Sequence, residues 1–280
     1  MAHAHAIPRI ALRGGVEIPQ LGFGVFQVPP EDTADVTSRA LEAGYRHIDT
    51  AAAYRNEAGV GQAIRASGLS RDEVFVTTKL FNDQHDNAPA ALRRSLDELG
   101  LDFVDLYLIH WPVPSRGLYA QAWQALIDLQ AEGLTRAIGV SNFQPAHLDR
   151  IVEETGVVPA VNQVELHPRL QQPELRRVHD ERGVVTEAWS PLAKGGVLDD
   201  PTVRELADKH DRTPAQVVLR WHLQLGNVVI PKSVTQSRIE ENLDVFGFEL
   251  DQDDMAAIEE LDRGERTGPD PDTFVAPPGR

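Results

Sequence analysis

The chain has 280 residues, of which 41% are hydrophobic and 25% charged, which is the composition of a globular protein with a sizeable buried core. Its formal net charge of −16 at pH 7 makes nucleic acid and anionic membrane surfaces poor partners. The absence of cysteine excludes thiol nucleophiles, thiolate metal sites and disulfides, and it fits a cytoplasmic location. The sequence contains no run of about 18 apolar residues, so no membrane span is predicted.

The two ends of the chain differ in composition from the rest. The first six residues, MAHAHA, lack the apolar core of a signal peptide, and we interpret 1–6 as a disordered leader or expression remnant. Residues 7–280 are predicted to form a single domain. Its last part, 264–280, is rich in Pro, Gly and Asp and is predicted to be a loop.

Short β-branched runs alternate with amphipathic stretches of about 10 to 15 residues, which is typical of βα units and a parallel sheet. Asp49, Lys79, His110 and Ser141 follow the ends of successive runs at intervals of 30, 31 and 31 residues. Eight such units without a linker predict one (β/α)8 barrel. The predicted strands are 21–25, 46–49, 74–78, 104–109, 136–140, 160–164, 184–188 and 228–230.

Three further segments extend the simple alternation. Apolar residues on both sides of the RGG sequence at 13–15 predict a β-hairpin over 7–19, which we expect at the barrel floor. Two extra helical segments, 111–118 and 192–200, follow the fourth and seventh strands. Both lie at the carboxyl ends of strands, where barrel enzymes build their active sites.

Four chemically different side chains fall at neighbouring strand ends. Asp49 ends strand two, Tyr54 follows five residues later, Lys79 ends strand three and His110 ends strand four. Each alone has an ordinary structural explanation, such as a helix cap or a core histidine. Because parallel strands end at one rim, we expect the four to converge there. His47 shares the face of Asp49 at a deeper level, and we interpret it as interior filling.

This set of groups can protonate an oxygen while a carbonyl is reduced. A phenol has a free pKa of about 10. A neighbouring ammonium lowers that pKa, a carboxylate holds the ammonium in place, and an imidazole can orient the carbonyl. The electrons need a hydride donor, for which a nicotinamide is the natural candidate. The histidines show no metal-ligand spacing such as HExxH, so we predict no metal.

The later strand ends offer groups for a nicotinamide. Residues 21–26 contain only the first two glycines of a GxGxxG fingerprint, which argues against a Rossmann site. Ser141 and Asn142 after strand five, and Gln163 in strand six, suit a carboxamide. Trp189 after strand seven offers a flat face for a ring.

The segment after the eighth strand suits a phosphate group. Lys232, Ser233 and Arg238 lie there, near a predicted helix N-terminus. Two cations favour a 2′-phosphate, and therefore NADP over NAD.

Seven segments together resemble the aldo-keto reductase superfamily, in order and without large gaps, over about 7–261. The similarity is strongest to the bacterial branch that resembles 2,5-diketo-D-gluconate reductases, with Trp189 where many relatives carry tyrosine. The segments are GYRHIDTAAAYRNEAGVG, VTTKLFN, LYLIHWP, IGVSNF, VNQVELHP, EAWSPL and IPKSVTQSRIEENLDVF.

The resemblance implies a (β/α)8 barrel and NADPH-dependent reduction of aldehydes and ketones. It implies Tyr54 as proton donor, Lys79 and Asp49 as its tuning pair, and His110 as the group that orients the substrate. The implied cofactor contacts are Ser141, Asn142, Gln163, Trp189, Ser190, Leu192, Lys194, Gly195, Lys232, Ser233, Val234, Arg238, Glu241 and Asn242. The implied substrate pocket is lined by Phe26, Ala51, Phe81, Trp111 and Trp189.

The sequence leaves alternatives open for both the substrate and the function. Related diketogluconate reductases tend to carry tryptophan where this chain has Phe81. Both keto-sugar acids and small dicarbonyls such as methylglyoxal are therefore candidate substrates. An NADPH-binding, redox-sensing regulatory subunit on the same fold is a second function. A third is an isomerase or aldolase that uses Lys79 as a Schiff-base nucleophile, although Asp49 nearby would keep that lysine protonated. We expect a monomer, since no exposed apolar helix is evident.

Overall fold

The computed structural model describes residues 6–275. The predicted leader therefore lies, apart from its last residue, outside the described part of the chain. Two strands, β1 (Arg9–Ala11) and β2 (Glu17–Pro19), pair antiparallel as the predicted hairpin. Leu12 and Ile18 pack in one apolar cluster with Phe75 and Val161, the first residues of two barrel strands. The hairpin thus closes the floor of the barrel, as predicted.

Eight parallel strands follow, each paired with the next along the chain. They are β3 (Phe23–Gly24), β4 (His47–Asp49), β5 (Phe75–Leu80), β6 (Val104–Ile109), β7 (Thr135–Ser141), β8 (Val161–Glu165), β9 (Val185–Trp189) and β10 (Val228–Val229). A parallel bridge between Leu21 and Val229, with a 2.9 Å hydrogen bond from Gly22 N to Val229 O, joins the last strand to the first. This closure confirms the (β/α)8 prediction.

One strand, 104–109, has the predicted bounds, and the other seven are shifted at one or both ends, by two residues at one end of β5 and one end of β3. β5 continues to Leu80 rather than ending at Thr78, so Lys79 lies inside the strand. β3 covers only Phe23 and Gly24, and Leu21 forms an isolated bridge to Val229 in the last strand. Strand ends depend on which neighbour the backbone pairs with, and this is not visible in a local run of apolar residues.

The described residues form ten α-helices, two more than eight βα units require. They are α1 (Pro30–Ala43), α2 (Glu57–Ala66), α3 (Ala88–Leu99), α4 (Tyr119–Ala131), α5 (Pro145–Thr155), α6 (Pro173–Arg182), α7 (Pro201–His210), α8 (Pro214–Gln224), α9 (Gln236–Leu243) and α10 (Gln252–Glu259). Proline is the first residue of five of them, where its missing N–H leaves no helical hydrogen bond unmade. Among the described residues, no helix is both long and apolar enough to cross a membrane.

The two predicted extra segments are mostly loop. Segment 111–118 contains one 3-10 turn (Pro114–Arg116), and segment 192–200 contains another (Ala193–Gly195). The additional α-helices are α7, which follows the second of these segments, and α10, which follows α9. Both segments lie after the carboxyl ends of strands, as predicted.

Candidate active site

Lys79 lies at the centre of a buried cluster and has no solvent-exposed surface. Its ammonium nitrogen is 2.6 Å from Asp49 Oδ1, 3.0 Å from the carbonyl oxygen of Thr50 and 3.3 Å from the hydroxyl of Tyr54. These three contacts use the three protons of the ammonium group. The structure therefore brings together three of the four side chains that the sequence placed at one rim.

Tyr54 lies in a 3-10 turn (Ala52–Tyr54) directly after β4, and its ring is held between two other rings. The centroid of Phe26 is 5.0 Å away, and that of His110 is 5.8 Å away in an edge-on arrangement with an interplanar angle of 76°. The imidazole predicted to orient a carbonyl thus lies beside the phenol predicted to protonate it.

Burial and neighbouring charges fix the protonation states of this cluster. Burial disfavours the ammonium of Lys79, but Asp49 and Tyr54 outweigh it and raise the pKa to about 12. Burial raises the pKa of Tyr54 above its usual 10, and Lys79 only partly opposes this. Lys79 therefore acts on the phenol pKa in the predicted direction, but burial outweighs its effect. Burial, assisted by Lys79, holds the pKa of His110 well below 6.5, so this imidazole is neutral.

The polar residues of β7 and β8 are connected to each other and to Trp189. Asn142 has a φ of 63°, a conformation that asparagine tolerates. Its Nδ2 donates to His110 O at 3.0 Å, and its Oδ1 accepts a 2.8 Å hydrogen bond from Trp189 Nε1. Ser141 Oγ donates to Gln163 O at 2.7 Å. These bonds fix the side chains of Ser141 and Asn142 before any ligand binds.

Gln163 connects two carboxyl groups. Its Nε2 donates to Asp49 Oδ2 at 2.8 Å and to Glu187 Oε2 at 3.0 Å. Glu187 was not among the predicted site residues, although it lies two residues before Trp189, and alternate residues of a strand share a face. The alternation of residues along the strand could therefore have placed Glu187 on the same face as Trp189.

A cavity of about 1030 Å³ opens above these residues. Asp49, Tyr54 and His110 line it, whereas Lys79 lies behind them. All fourteen predicted cofactor contacts line it: Ser141, Asn142, Gln163, Trp189, Ser190, Leu192, Lys194, Gly195, Lys232, Ser233, Val234, Arg238, Glu241 and Asn242. Within residues 6–275, no group of three or more His, Asp or Glu side chains is arranged to hold a metal ion.

Three of the five residues predicted to line the substrate pocket also line this cavity. Phe26, Trp111 and Trp189 line the cavity, but Ala51 and Phe81 do not. Ala51 precedes the turn that carries Tyr54 and is completely buried. β5 ends at Leu80, two residues later than predicted, so Phe81 directly follows the strand and precedes the next 3-10 turn (Asn82–Gln84). Arg204 and Gly268 line the cavity without having been predicted.

The fold and this cavity agree with comparisons to known proteins. The model of the aldo/keto reductase family matches residues 20–263. The chain is 55% identical over 269 residues to an aldo-keto reductase of Mycobacterium sp. (strain KMS), covering 95% of this chain and 98% of that protein. It is 54% identical over 267 residues to methylglyoxal reductase DkgA of Escherichia coli (strain K12), covering 95% and 97%. The solved structure of a Gox0644 mutant in complex with NADPH has a TM-score of 0.94 at 49% identity, covering 97% of this chain and 100% of that one.

The chain belongs to the aldo/keto reductase family. Membership confirms an NADP-dependent oxidoreductase that reduces carbonyl groups. The similarity to DkgA also confirms the bacterial branch indicated by the sequence.

NADPH is the cofactor of this aldo/keto reductase, and its phosphate groups call for cationic partners. Lys232 and Arg238 line one end, and neither forms an ion pair within the described part of the chain. Both flank the start of α9, where free backbone N–H groups favour an anion. Thr213 Oγ1 donates a 2.6 Å hydrogen bond to Glu241, which holds that carboxylate at the same end. Two unpaired cations in so acidic a chain fit a 2′-phosphate.

The C-terminal segment of the reductase crosses the mouth of the cavity. Glu165 Oε1 accepts hydrogen bonds from the backbone N of Thr267 at 2.5 Å and from its hydroxyl at 2.6 Å. Lys194 Nζ donates to Thr267 O at 2.7 Å. A Cβ atom at Gly268 would lie 2.5 Å from the Trp189 ring, so only glycine allows this close approach. The composition of 264–280 predicted a loop but not its position at the cavity.

Proposed function

We propose that this reductase converts small, neutral aldehydes and dicarbonyls such as methylglyoxal to alcohols, with Tyr54 as the proton donor. One observation carries the assignment of roles. The Tyr54 hydroxyl lies 3.3 Å from the buried ammonium of Lys79, and its ring lies against the neutral imidazole of His110. A proton donor, a cation to stabilise its anion, and a hydrogen-bond donor for the substrate oxygen are therefore adjacent.

The four side chains divide the reaction between them. His110, as a neutral imidazole, donates one hydrogen bond to the carbonyl oxygen and orients it. NADPH, when bound, supplies the hydride that adds to the carbonyl carbon. Tyr54 gives its proton to the oxygen as negative charge develops there, and its raised pKa keeps it protonated until then. Lys79, kept charged by Asp49, stabilises the resulting phenolate.

The cofactor contacts follow from the groups along the cavity. Ser141, Asn142 and Gln163 hold the carboxamide, and Trp189 lies along the ring. The backbone of 190–195 borders the pyrophosphate. The adenosine end with its 2′-phosphate is bound by Lys232, Ser233, Val234, Arg238, Glu241 and Asn242.

The substrate class is inferred from the cavity wall near Tyr54. Phe26, Trp111 and Trp189 provide aromatic surface there, and Phe274 packs on Trp111 with ring centroids 4.5 Å apart. The lysines and arginines of the wall belong instead to the segments after β9 and β10, where the phosphates are proposed to bind. This distribution favours a neutral carbonyl over a keto-sugar acid such as 2,5-diketo-D-gluconate. The methylglyoxal reductase name of the E. coli relative supports the same choice.

We also propose that the enzyme works as a monomer built from one barrel domain over 7–280. Among the described residues, the exposed large hydrophobic side chains are Phe26, Val234 and Val275, and the first two line the cavity. Little apolar surface is left for a subunit interface. A dependence on NADPH, which is regenerated inside cells, supports a cytoplasmic location, and the net charge of −16 disfavours nucleic acid.

A turnover panel tests this function. Methylglyoxal, an aromatic aldehyde and 2,5-diketo-D-gluconate are each measured with NADPH and with NADH. We expect many turnovers per enzyme molecule, NADPH preferred, and kcat/KM for methylglyoxal at least about tenfold above that for the sugar acid. A higher kcat/KM for the sugar acid would contradict the substrate class.

The panel and a separate trapping experiment distinguish the other two functions. A single slow oxidation of NADPH would favour a redox sensor. Covalent trapping of Lys79 by borohydride with a carbonyl compound would favour Schiff-base chemistry.

A further inference from the structure

A second carboxyl group lies inside the barrel beneath Asp49. Glu187, in the middle of β9, has no exposed surface and takes no part in the proton transfer described above. Its Oε2 accepts the 3.0 Å hydrogen bond from Gln163, and its Oε1 has no hydrogen-bond partner among the described residues. A buried carboxyl group is costly, so its presence at this position needs an explanation.

Three titratable groups face Glu187 from β4 and β5, strands that do not pair with β9. Asp49 on β4 and Lys79 on β5 act on it through their charges, and His47 Nε2 lies 3.7 Å from its Oε1. Burial lowers the pKa of His47 to about 3, so this ring is neutral, and it is hydrogen-bonded to Thr77 at 3.1 Å. Burial and the charge of Asp49 raise the pKa of Glu187 to about 8, so its carboxyl group is protonated at neutral pH.

The contacts of Glu187 determine which atom Gln163 presents to the cavity. An amide nitrogen carries two protons, and Gln163 gives one to Asp49 and the other to Glu187. None of the hydrogen bonds within residues 6–275 goes to Gln163 Oε1, and Gln163 lines the cavity. The oxygen is therefore the atom available to a ligand. Without Glu187, one N–H would lose its partner, and the amide could rotate.

We propose that Glu187 is a positioning residue that acts through Gln163, holding the amide so that its oxygen accepts a hydrogen bond from the carboxamide N–H of the nicotinamide. This inference rests on the proposed cofactor contacts, in which Gln163 meets the nicotinamide end. We expect Glu187 to affect binding of the nicotinamide end alone, because the proposed contacts of the adenosine end lie on the segment after β10.

Binding of two ligands separates positioning from a general structural role. Dissociation constants for NADPH and for 2′,5′-ADP, which lacks the nicotinamide, are measured by calorimetry on the wild type and on Glu187→Leu and Glu187→Gln. We expect Glu187→Leu to bind NADPH about tenfold more weakly, since a buried N–H loses its partner, and to bind 2′,5′-ADP within about twofold of wild type. Glu187→Gln keeps an acceptor oxygen and resembles the protonated carboxyl, so it should bind both ligands almost as the wild type does.

A double-mutant comparison makes the test specific for Gln163. In a Gln163→Leu background, Glu187→Leu should cause no further loss of NADPH affinity. Additive losses, an equal loss for both ligands, or unchanged NADPH binding in Glu187→Leu would each overturn the inference. If Glu187→Leu does not fold, Glu187→Met, which is unbranched and similar in length, replaces it. These are binding measurements, so they stand apart from the turnover panel that tests the proposed function.

Discussion

Lys79 donates a 2.6 Å hydrogen bond to Asp49, and the two side chains are 0% and 2% exposed. A buried ion pair of this kind makes each partner depend on the other, because removal of one leaves an uncompensated charge inside the protein. The same pair places the ammonium next to the Tyr54 hydroxyl, so stability and catalysis are coupled at Lys79.

The first prediction concerns this ion pair. Lys79→Met should lower the free energy of unfolding by about 3–5 kcal/mol, because Asp49 would remain buried without its cation. The double variant Lys79→Met/Asp49→Asn should regain much of that stability and still lack activity. Urea unfolding and steady-state turnover measure the two effects. Full activity in the double variant would show that the pair is only structural.

The second prediction concerns the pH dependence of stability. The pKa of Glu187 is raised to about 8 in the folded protein, against about 4.3 in an unfolded chain. Between these values the folded state holds a proton that the unfolded state has lost. The contribution of Glu187 is therefore full below about pH 4.3 and is lost as pH rises through 8.

Urea unfolding at pH 5, 7 and 9 measures this contribution. Glu187→Gln should reduce the fall in the free energy of unfolding between pH 5 and pH 9. The control Glu132→Gln changes an exposed carboxylate and should leave that fall unchanged. An identical fall in Glu187→Gln and wild type would mean that Glu187 titrates normally.

The third prediction concerns the 2′-phosphate. Arg238→Ala should weaken NADPH binding about 10- to 100-fold and NADH binding much less, because only NADPH carries the phosphate that this unpaired guanidinium would contact. Fluorescence titration with both nucleotides measures this. Arg93→Ala removes an arginine that is paired with Glu132 on the surface of α3, and it should change neither constant. Equal losses for NADPH and NADH in Arg238→Ala would place the phosphate elsewhere.

The fourth prediction concerns the C-terminal segment. Phe274 packs on Trp111 at a centroid distance of 4.5 Å, so Phe274→Ala should raise KM for an aromatic aldehyde several-fold and leave the dissociation constant of NADPH unchanged. Val275→Ala alters the adjacent side chain, which is 65% exposed, and serves as the control. A change in NADPH affinity without a change in KM would assign the segment to the cofactor instead.

The sequence predicted the barrel and its four central side chains because both depend on regular spacing. Eight runs at near-constant intervals define the strands, and the common direction of parallel strands brings Asp49, Lys79 and His110 to one rim. The same regular spacing could also have predicted Glu187, since it shares a strand face with Trp189.

Other features of the site depend on contacts that no local pattern encodes. Glu165 holds Thr267 across about a hundred positions of the chain, and Phe274 meets Trp111 over an even longer interval. The positions of Ala51 and Phe81, which do not line the cavity, have a related cause. Whether a residue lines a rim depends on the position at which its strand stops, and strand ends are set by pairing with neighbours.

The central claim is that Tyr54 gives its proton to the substrate oxygen, and Tyr54→Phe tests it most directly. The variant loses only the hydroxyl that lies 3.3 Å from Lys79. Tyr107→Phe is the matched control, because the hydroxyl of Tyr107 is buried without a hydrogen-bond partner in the described structure. We predict that kcat for methylglyoxal falls about 10²- to 10⁴-fold in Tyr54→Phe while the dissociation constant of NADPH stays within about twofold. Turnover equal to that of Tyr107→Phe would contradict the account.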